Sequence, residues 1–370
     1  MTVGDEARPE VFVLGVATHP PTERHDSMRL EELAYATATA ALDDAGVRRR
    51  QLDSVTLGAS DEVDGRPISS MLLAAPSGAF MTDEVRVADS GATALCLAVA
   101  RILSGDFHLG LVSSWCKSSK VDVDQVMNAA ADPFYTRPLG MSSAVADGLF
   151  AQVVSSELGI TEGQVAKRVA DAFARAAGNP RGMGHAVPTA EDVNRTEYVA
   201  TPLRDGYRAP FTDGAACMVL ASGDWLRLHP EHKPLARISG VGWATDSYGL
   251  SRNRLGALSS ARAAWSHALR RANLADAQTL DVVELDTPTG FHEAAYVSAF
   301  GLEQGQVTPS GGTFAQNPFV CAGLVNAVEA TLQVSGRAGP VQRAGVRFAA
   351  SHGCHGYAQQ ANTVVVYEGA

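Results

Sequence analysis

Hydrophobic positions in the first 60 residues follow a strand spacing, then a helix spacing, then a strand spacing again. Residues 10–19 are apolar and β-branched, which predicts a strand. Apolar side chains recur at helical spacing over 27–47, which predicts a helix with Ser27 as its N-cap and Gly46 at its end. The short apolar run at 52–60 predicts a buried strand. The chain therefore opens with the order strand, helix, strand.

The same order returns in the second part of the chain. The corresponding segments are 10–19, 27–47, 52–60, 85–103 and 107–114 in the first part and 235–244, 257–274, 280–286, 307–334 and 346–353 in the second. This repetition predicts an α/β fold of two duplicated halves, residues 1–234 and 235–370, with mainly parallel central strands. Residues from about 115 to 210 differ in pattern. We expect them to form a loop domain inserted in the first half, which covers the top of its sheet.

Composition and charge narrow the class of protein. Hydrophobic residues make up 46% and charged residues 19% of the 370 residues, which is typical of a globular protein with a large core. The formal net charge is −10 and no long run of Lys or Arg occurs, so we expect no nucleic-acid partner.

Cysteine usage and the chain start indicate a cytoplasmic protein. Neither CxxC spacing nor an even number of cysteines occurs, so a disulfide framework and a metal site are not expected. The first 15 residues lack the pattern of a signal peptide, and no apolar run is long enough for a membrane span. The five cysteines are Cys96, Cys116, Cys217, Cys321 and Cys354.

Several segments, taken in their order along the chain, resemble the thiolase superfamily. The resemblance is specifically to its thiolase-like branch of the sterol-carrier-protein, or lipid-transfer-protein, type. The segments are DSGATAL (89–95), FTDGAACMVLAS (211–222), VVELDTPTGFHEAAYVSAFGL (282–302), PSGGTFAQNP (309–318) and SHGCHGYAQQANTVVV (351–366). The resemblance implies a five-layered αβαβα fold, a loop domain, a dimer and coenzyme A thioesters as substrates, with no bound cofactor.

The sequence departs from the thiolase pattern at the positions that carry thiolase chemistry. Ala88 stands where the resemblance places the nucleophilic cysteine. Asp286 and Pro288 replace the histidine and cysteine that follow the VVEL strand in this branch, and Asn317 replaces the histidine of the Gly-His-Pro loop. Because a methyl group cannot form a thioester, condensation through an acyl-cysteine at residue 88 is not expected.

Two candidate groups carry chemistry in this context. Cys354 matches the cysteine of the C-terminal Cys-x-Gly loop of thiolases, and His352 and His355 flank it. One interpretation is a thiolate–imidazole pair, and the other is a half-buried loop cysteine without a catalytic role. Asp286 ends a predicted strand, where a carboxylate can be a general base with a raised pKa. The alternative is that Asp286 shapes the turn before Pro288.

Further candidates are less specific. Tyr357 lies in the glycine-rich loop and could exchange a proton with a substrate hydroxyl. Asn317 could hold an oxyanion water, or it could cap the following helix. Asp89 is interpreted first as a helix N-cap. His292 and Tyr296 lie at helical spacing and are interpreted first as packing residues.

Three hypotheses of function follow. The first is retro-aldol cleavage of a β-hydroxyacyl-CoA, with Tyr357, Asp286 and His352 as base and acid. The resemblance to thiolase-like steroid side-chain aldolases implies a small OB-fold/zinc-ribbon partner for such an enzyme. The second is acyl transfer with Cys354 as nucleophile, and the third is a non-catalytic subunit. A homodimer or a heteromeric complex is expected.

Overall fold

The computed structural model describes residues 9–370. The strands are β1 (Val11–Thr18), β2 (Ser54–Gly58), β3 (Asp83–Val87), β4 (Leu109–Lys117), β5 (Tyr198–Ala200), β6 (Leu203–Arg204), β7 (Asp213–Ser222), β8 (Ala236–Thr245), β9 (Val282–Glu284), β10 (Phe348–His355) and β11 (Ala361–Gly369).

The helices differ widely in length. They are α1 (Leu30–Ala45), α2 (Asp61–Asp64), α3 (Ser70–Leu73), α4 (Gly91–Leu103), α5 (Val123–Ala130), α6 (Ser143–Leu158), α7 (Glu162–Ala177), α8 (Ala190–Asn194), α9 (Gly223–Leu228), α10 (Arg252–Ala257), α11 (Ser259–Ala272), α12 (Gly290–Phe300) and α13 (Ala322–Val334). Within residues 9–370, none of them combines the length and the apolar character that crossing a bilayer requires.

The main sheet repeats one strand order twice. Its nine strands run β3-β2-β4-β7-β1-β8-β11-β10-β9. The first half is β3-β2-β4-β7-β1. The second half, read from its outer edge, is β9-β10-β11-β8, and Val307 forms a parallel bridge to Val283 of β9 at the place that β3 occupies beside β2. The first strands of the two halves, β1 and β8, pair antiparallel. The duplication predicted from the sequence is confirmed.

The expected predominance of parallel strands is wrong. Among the strands of residues 9–370, parallel pairing joins β2 to β3 and β4, and β9 to β10, besides the parallel bridge of Val307 to Val283. Strands β7 and β11 run antiparallel to both of their neighbours. The connection between β10 and β11 is only residues 356–360, which is too short for the crossover that parallel pairing needs. Hydrophobic patterning carries no information on strand direction, so it could not reveal this.

Successive side chains along each strand point to opposite faces of the sheet, and this alternation divides the interior into layers. In β7, Met218 faces a central core, whereas Cys217 and Val219 face the core beneath the outer helix α1. In β11, Val365 points inward and Val364 points outward toward α11. Helices α4 and α13 fill the central core between the two sheet halves. The result is the five-layered αβαβα arrangement that was expected.

The central helices approach β10 through residues with almost no side chain. A Cβ atom built on Gly353 would lie 2.5 Å from Ala92 Cβ, and one built on Gly323 would lie 2.7 Å from the same atom. Both separations are shorter than a normal carbon–carbon contact. The beginnings of α4 and α13 are therefore held directly against the end of β10.

The segment between β4 and β7, hereafter the excursion (residues 118–212), has a core of its own. Phe150 of α6, Val169 of α7 and Tyr207 pack there with Phe291 of α12 and with Tyr357, which follows β10. The excursion therefore packs on the second half as well, rather than over the first half alone as expected. Aromatic side chains from distant segments meet here, and no local pattern in the sequence signals such a contact.

Helix α1 begins two residues later than its expected cap would allow. The backbone N–H of Arg29 donates to Glu32 Oε2 at 2.8 Å, so a carboxylate satisfies the helix N-terminus in place of the Ser27 hydroxyl. At the other end, Gly46 adopts a φ of +68°, the left-handed conformation predicted for the residue that ends the helix.

The close packing of α13 gives a stability prediction. We expect Gly323→Ala to lower the free energy of unfolding by about 1–3 kcal/mol, because the added methyl group overlaps Ala92. Gly163→Ala is the matched control, since Gly163 is also the second residue of a helix and a Cβ there meets nothing within 4 Å. Urea unfolding of both variants makes the comparison. Equal stability losses would contradict the packing argument.

Candidate active site

One cavity opens where strand ends of both halves meet the excursion. It has a volume of about 320 Å³ and is walled by the ends of β3 and β10, the loop after β9, and helices α5 and α6. Ligand sites of α/β proteins commonly occur beyond strand ends in this way. Five of the six predicted site residues line the cavity, namely Asp286, Asn317, Cys354, His355 and Tyr357. His352, the sixth, does not.

The beginning of α4 faces the cavity without a nucleophile. Ala88 is exposed on the cavity wall, and Ser90 caps the helix by accepting the backbone N–H of Thr93 at 3.2 Å. A helix N-terminus offers free N–H groups and a partial positive charge. This end of α4 can therefore stabilise an oxygen anion, but the methyl group of Ala88 cannot form a covalent bond with substrate.

The side chains of Asp89 and His355 make a polar contact across the two halves. Asp89 Oδ2 lies 3.1 Å from His355 Nε2, and Asp89 Oδ1 accepts the backbone N–H of Ser90. The interpretation of Asp89 as the helix N-cap is wrong, because Ser90 has that role. The pair orients the imidazole of His355 at the cavity wall.

Asp286 is a buried carboxyl group that still reaches the cavity. Its side chain follows β9, is 6% exposed, and accepts the backbone N–H of Cys354 at 3.1 Å. Burial raises the pKa of Asp286 to about 7, although the hydrogen bond from Cys354 and the nearby His355 act in the opposite direction. A carboxyl with this pKa is half ionised near neutral pH, which suits a general base.

The environment of Cys354 disfavours a thiolate. Burial raises the pKa of the Cys354 thiol well above its usual value, and the carboxyl of Asp286 raises it further. Neither neighbouring histidine is hydrogen-bonded to the sulfur within residues 9–370: His355 pairs with Asp89, and His352 bonds Asn362. The expected thiolate–imidazole pair is therefore not formed. Since the thiolate is the reactive form, Cys354 is a poor nucleophile here.

His352 lies behind the cavity wall. Its Nε2 is 2.8 Å from Asn362 Oδ1, and its ring centre is 4.4 Å from that of Tyr296. Because an amide oxygen only accepts, Nε2 carries the proton. Burial lowers the pKa of His352 to about 4, so the ring is neutral at physiological pH. The structure does not bring this histidine to the cavity, where the acid–base role predicted for it would be exercised.

Asn317 is held in the cavity wall from two sides. Its Nδ2 donates to the Ala209 carbonyl at 3.1 Å, and its backbone N–H donates to Thr212 Oγ1 at 3.0 Å. The capping interpretation is wrong, because α13 begins only at Ala322 and Asn317 caps no helix. The fixed amide can present its second N–H to an oxygen in the cavity, as an oxyanion donor requires.

Tyr357 ties the loop after β10 to the excursion. Its hydroxyl donates to the carbonyl oxygen of Met127 on α5, and burial raises the pKa of Tyr357 to about 12. The phenol is therefore protonated at neutral pH. In this arrangement Tyr357 shapes the wall, and its proton is already committed to a backbone acceptor.

Asp147 and Arg208 line the cavity although the sequence analysis did not single them out. Asp147 Oδ1 lies 3.8 Å from His292 Nε2, and an Arg208 Nη2 lies 3.2 Å from Asp124 Oδ2. The available signal was one carboxylate within the small and apolar run SAVADGLFAQVV of α6. In the described part of the chain, no group of three or more His, Cys, Asp and Glu side chains is placed to hold a metal ion.

Sequence comparison identifies two acetyl-CoA acetyltransferases as relatives. The protein of Methanothermobacter thermautotrophicus is 26% identical over 377 residues, covering 94% of this chain and 96% of the relative. That of Methanocaldococcus jannaschii is 25% identical over 260 residues, covering 68% of this chain and 66% of the relative. No protein-family model matches the chain.

Structural comparison shows the thiolase fold. Human mitochondrial 3-ketoacyl-CoA thiolase in complex with CoA superposes with a TM-score of 0.79 at 17% identity, covering 98% of both chains. The Ltp2–ChsH2(DUF35) aldolase superposes with a TM-score of 0.81 at 15% identity, covering 97% of this chain and 98% of that chain. The relatives and the fold together support membership of the thiolase superfamily.

The raised pKa of Asp286 gives a prediction on stability. A carboxyl whose folded pKa is about 7, against an ordinary value of 3.8, binds its proton more tightly when folded. Its contribution to stability is therefore full below pH 4 and is lost as the pH rises toward 7. We expect Asp286→Asn to match the wild type in stability at pH 4 and to exceed it by a few kcal/mol at pH 8.

Chemical unfolding of both proteins at pH 4, 6 and 8 measures this difference. Asp224→Asn, at an exposed ion pair with Arg227, is the control and should show no such trend. A stability difference between Asp286→Asn and wild type that is independent of pH would contradict the assignment.

Proposed function

We propose that this protein cleaves a β-hydroxyacyl-CoA by a retro-aldol reaction that involves no acyl-enzyme. The observation that carries the proposal is a buried carboxyl, Asp286, with its pKa raised to about 7, in a cavity where residue 88 is alanine. The fold supports a CoA thioester as substrate, and a structural neighbour that is named an aldolase supports the reaction type.

Asp286 is the base in this reaction. Its carboxylate accepts the proton of the β-hydroxyl, the C–O bond becomes a carbonyl, and the Cα–Cβ bond breaks. The electron pair of that bond forms the enolate of the shortened thioester. A positioned base of matched pKa typically contributes a factor of about 10²–10⁴ in rate.

Two features of the cavity suit the enolate oxygen. The fixed amide of Asn317 can donate a hydrogen bond, and the beginning of α4 beside Ala88 supplies backbone N–H groups and the positive end of the helix dipole. Both are already in place before substrate binds, so little reorganisation is needed as charge develops.

Acyl transfer through Cys354 is the second candidate function. It is favoured by the name acetyl-CoA acetyltransferase that both sequence relatives carry. The raised pKa of the Cys354 thiol and its lack of an imidazole partner oppose it. A non-catalytic subunit is the third candidate, and two carboxyl groups with raised pKa values in a formed cavity argue against it.

We also propose that the protein acts in a homodimer or in a complex with an OB-fold/zinc-ribbon protein. The name of the Ltp2–ChsH2(DUF35) aldolase joins two components, which supports a heteromeric assembly for this chain. Co-purification of a tagged chain from its native cells, followed by mass spectrometry, tests for such a second component.

The activity prediction concerns Asp286. Asp286→Asn should lower kcat for cleavage of a 3-hydroxyacyl-CoA with a branched, steroid-side-chain-like β-substituent by about 10²-fold or more, because the amide accepts no proton. Tyr357→Phe should lower kcat less, since the hydroxyl hydrogen-bonds Met127. Release of the shortened thioester, measured by liquid chromatography, follows the reaction.

Asp224→Asn is the control for the activity assay, because it removes an exposed carboxylate that is not part of the cavity lining. It should retain wild-type kcat. Full cleavage activity in Asp286→Asn would contradict the assignment of Asp286 as the base.

A separate prediction decides between cleavage and acyl transfer. After incubation with acetyl-CoA, mass spectrometry of the intact wild-type protein should show no acyl adduct, because the Cys354 thiol is protonated and residue 88 has no sulfur. An adduct that is present in the wild type and absent in Cys354→Ser would instead support acyl transfer.

A further inference from the structure

Asp147 is a carboxyl group of the cavity to which the proposed base step gives no role. It projects from α6, and its side chain is only 15% exposed. Its residue neighbours in the helix are small or apolar, so the carboxylate is isolated on this face. A partly buried carboxyl without a full ion-pair partner is costly, which makes its position in a ligand cavity informative.

His292 lies beside Asp147 at the floor of the cavity. His292 is 1% exposed, its Nδ1 lies 2.8 Å from Thr289 Oγ1, and its Nε2 lies 3.8 Å from Asp147 Oδ1. The ring also packs against Phe150 in a tilted arrangement, with centroids 4.6 Å apart and an interplanar angle of 32°. Two side chains therefore fix the imidazole, and its free edge is turned toward the carboxyl group.

We propose that Asp147, which lines the cavity beside His292, is the acid that protonates the α-carbon of the enolate. This inference rests on the proposed retro-aldol function and supplies its second proton transfer. The proton on the Asp147 carboxyl forms the new Cα–H bond with the electron pair of the enolate, and the enolate oxygen returns to a thioester carbonyl. Asp147 is left as a carboxylate.

The proton balance closes without any further reactant. Asp286 has taken the proton of the β-hydroxyl, and Asp147 has given one to carbon. Exchange of one proton from Asp286 to Asp147 through solvent restores the starting state after the products leave. The cavity needs one ionised and one protonated carboxyl at the start, and burial raises the pKa of each to about 7.

Charged and titratable groups from every neighbouring element act on Asp147. Burial is the largest influence on its pKa, Arg208 lowers that pKa, and Asp124 of α5 raises it. His292 of α12 is neutral, because burial lowers its pKa to about 3. Among the residues that the structure describes, the other titratable side chains lining the cavity are Glu62, Asp89, Asp286, Cys354, His355 and Tyr357.

Exchange of α-protons tests the acid separately from carbon–carbon cleavage. In D₂O, an enzyme that protonates an enolate thioester also runs this step in reverse, so propanoyl-CoA should gain deuterium at Cα. We expect Asp147→Asn to lower this exchange at least about 10²-fold. Asp286→Asn should retain the exchange while losing cleavage of the 3-hydroxyacyl-CoA.

The dependence of kcat on pH and the exchange activity of His292 variants provide further tests. Neither would change in the expected way if Asp147 had only a structural role. Because Asp147 acts in its protonated form, Asp147→Asn should lose the fall of kcat above pH 7 and keep the fall below it. His292→Gln, which preserves a polar group near Nε2, should retain more exchange than His292→Leu. Asp171→Asn, on the exposed face of α7, is the control, and thermal unfolding verifies that each variant is folded.

Each outcome decides between the two proposals. Wild-type exchange in Asp147→Asn, or no exchange by the wild type, overturns the role of Asp147 and leaves retro-aldol cleavage standing if cleavage is observed. Exchange that depends on Asp147, in a wild-type protein that cleaves no 3-hydroxyacyl-CoA, supports Asp147 as the group acting at Cα and refutes the retro-aldol function.

Discussion

The site depends on the close approach of α4 and α13 to the end of β10. Ala92, Gly323 and Gly353 meet with no room for one more methyl group. Because these three residues belong to both halves of the chain, their contact brings the ends of β3 and β10 to one point. The pair between Asp89 and His355 then joins those ends by a direct polar contact. The cavity is thus a consequence of packing between the halves.

Burial by the excursion gives this junction its chemistry. Helices α5 and α6 close the cavity from the side opposite the strand ends, and the carboxyl groups of Asp147 and Asp286 lose much of their contact with water. Loss of hydration is the largest cause of the raised pKa in both residues. The same packing that stabilises the excursion therefore also raises the pKa of both carboxyl groups. Burial of these carboxyl groups destabilises the folded state, and favourable packing elsewhere in the protein must offset that cost.

The sequence predicted the repeated order of elements and most of the cavity wall, because both depend on local spacing. Each of the ten segments located by the spacing of apolar residues contains all or most of at least one observed strand or helix, and the strand ends placed Asp286 and Cys354 at one edge. Strand direction, the contact of Tyr357 with Met127 and the distance between Asp147 and His292 depend on segments far apart in the chain. His352 shows the limit most clearly, since it is two residues from Cys354 yet lies behind the wall.

The electrostatics of the cavity disfavour the presence of a base at Asp286 and a nucleophilic thiolate at Cys354 in the same site. A thiolate at Cys354 would be a second negative charge beside Asp286, and the pKa of that thiol rises because of this carboxyl as well as burial. Conversely, a thiolate there would hold Asp286 protonated and remove its use as a base. An ionised Asp286 and a Cys354 thiolate would repel each other in this buried site, so having both is energetically unfavourable. With alanine at residue 88, no other thiolate competes with Asp286 along the lining, and the arrangement favours proton transfer over acyl transfer.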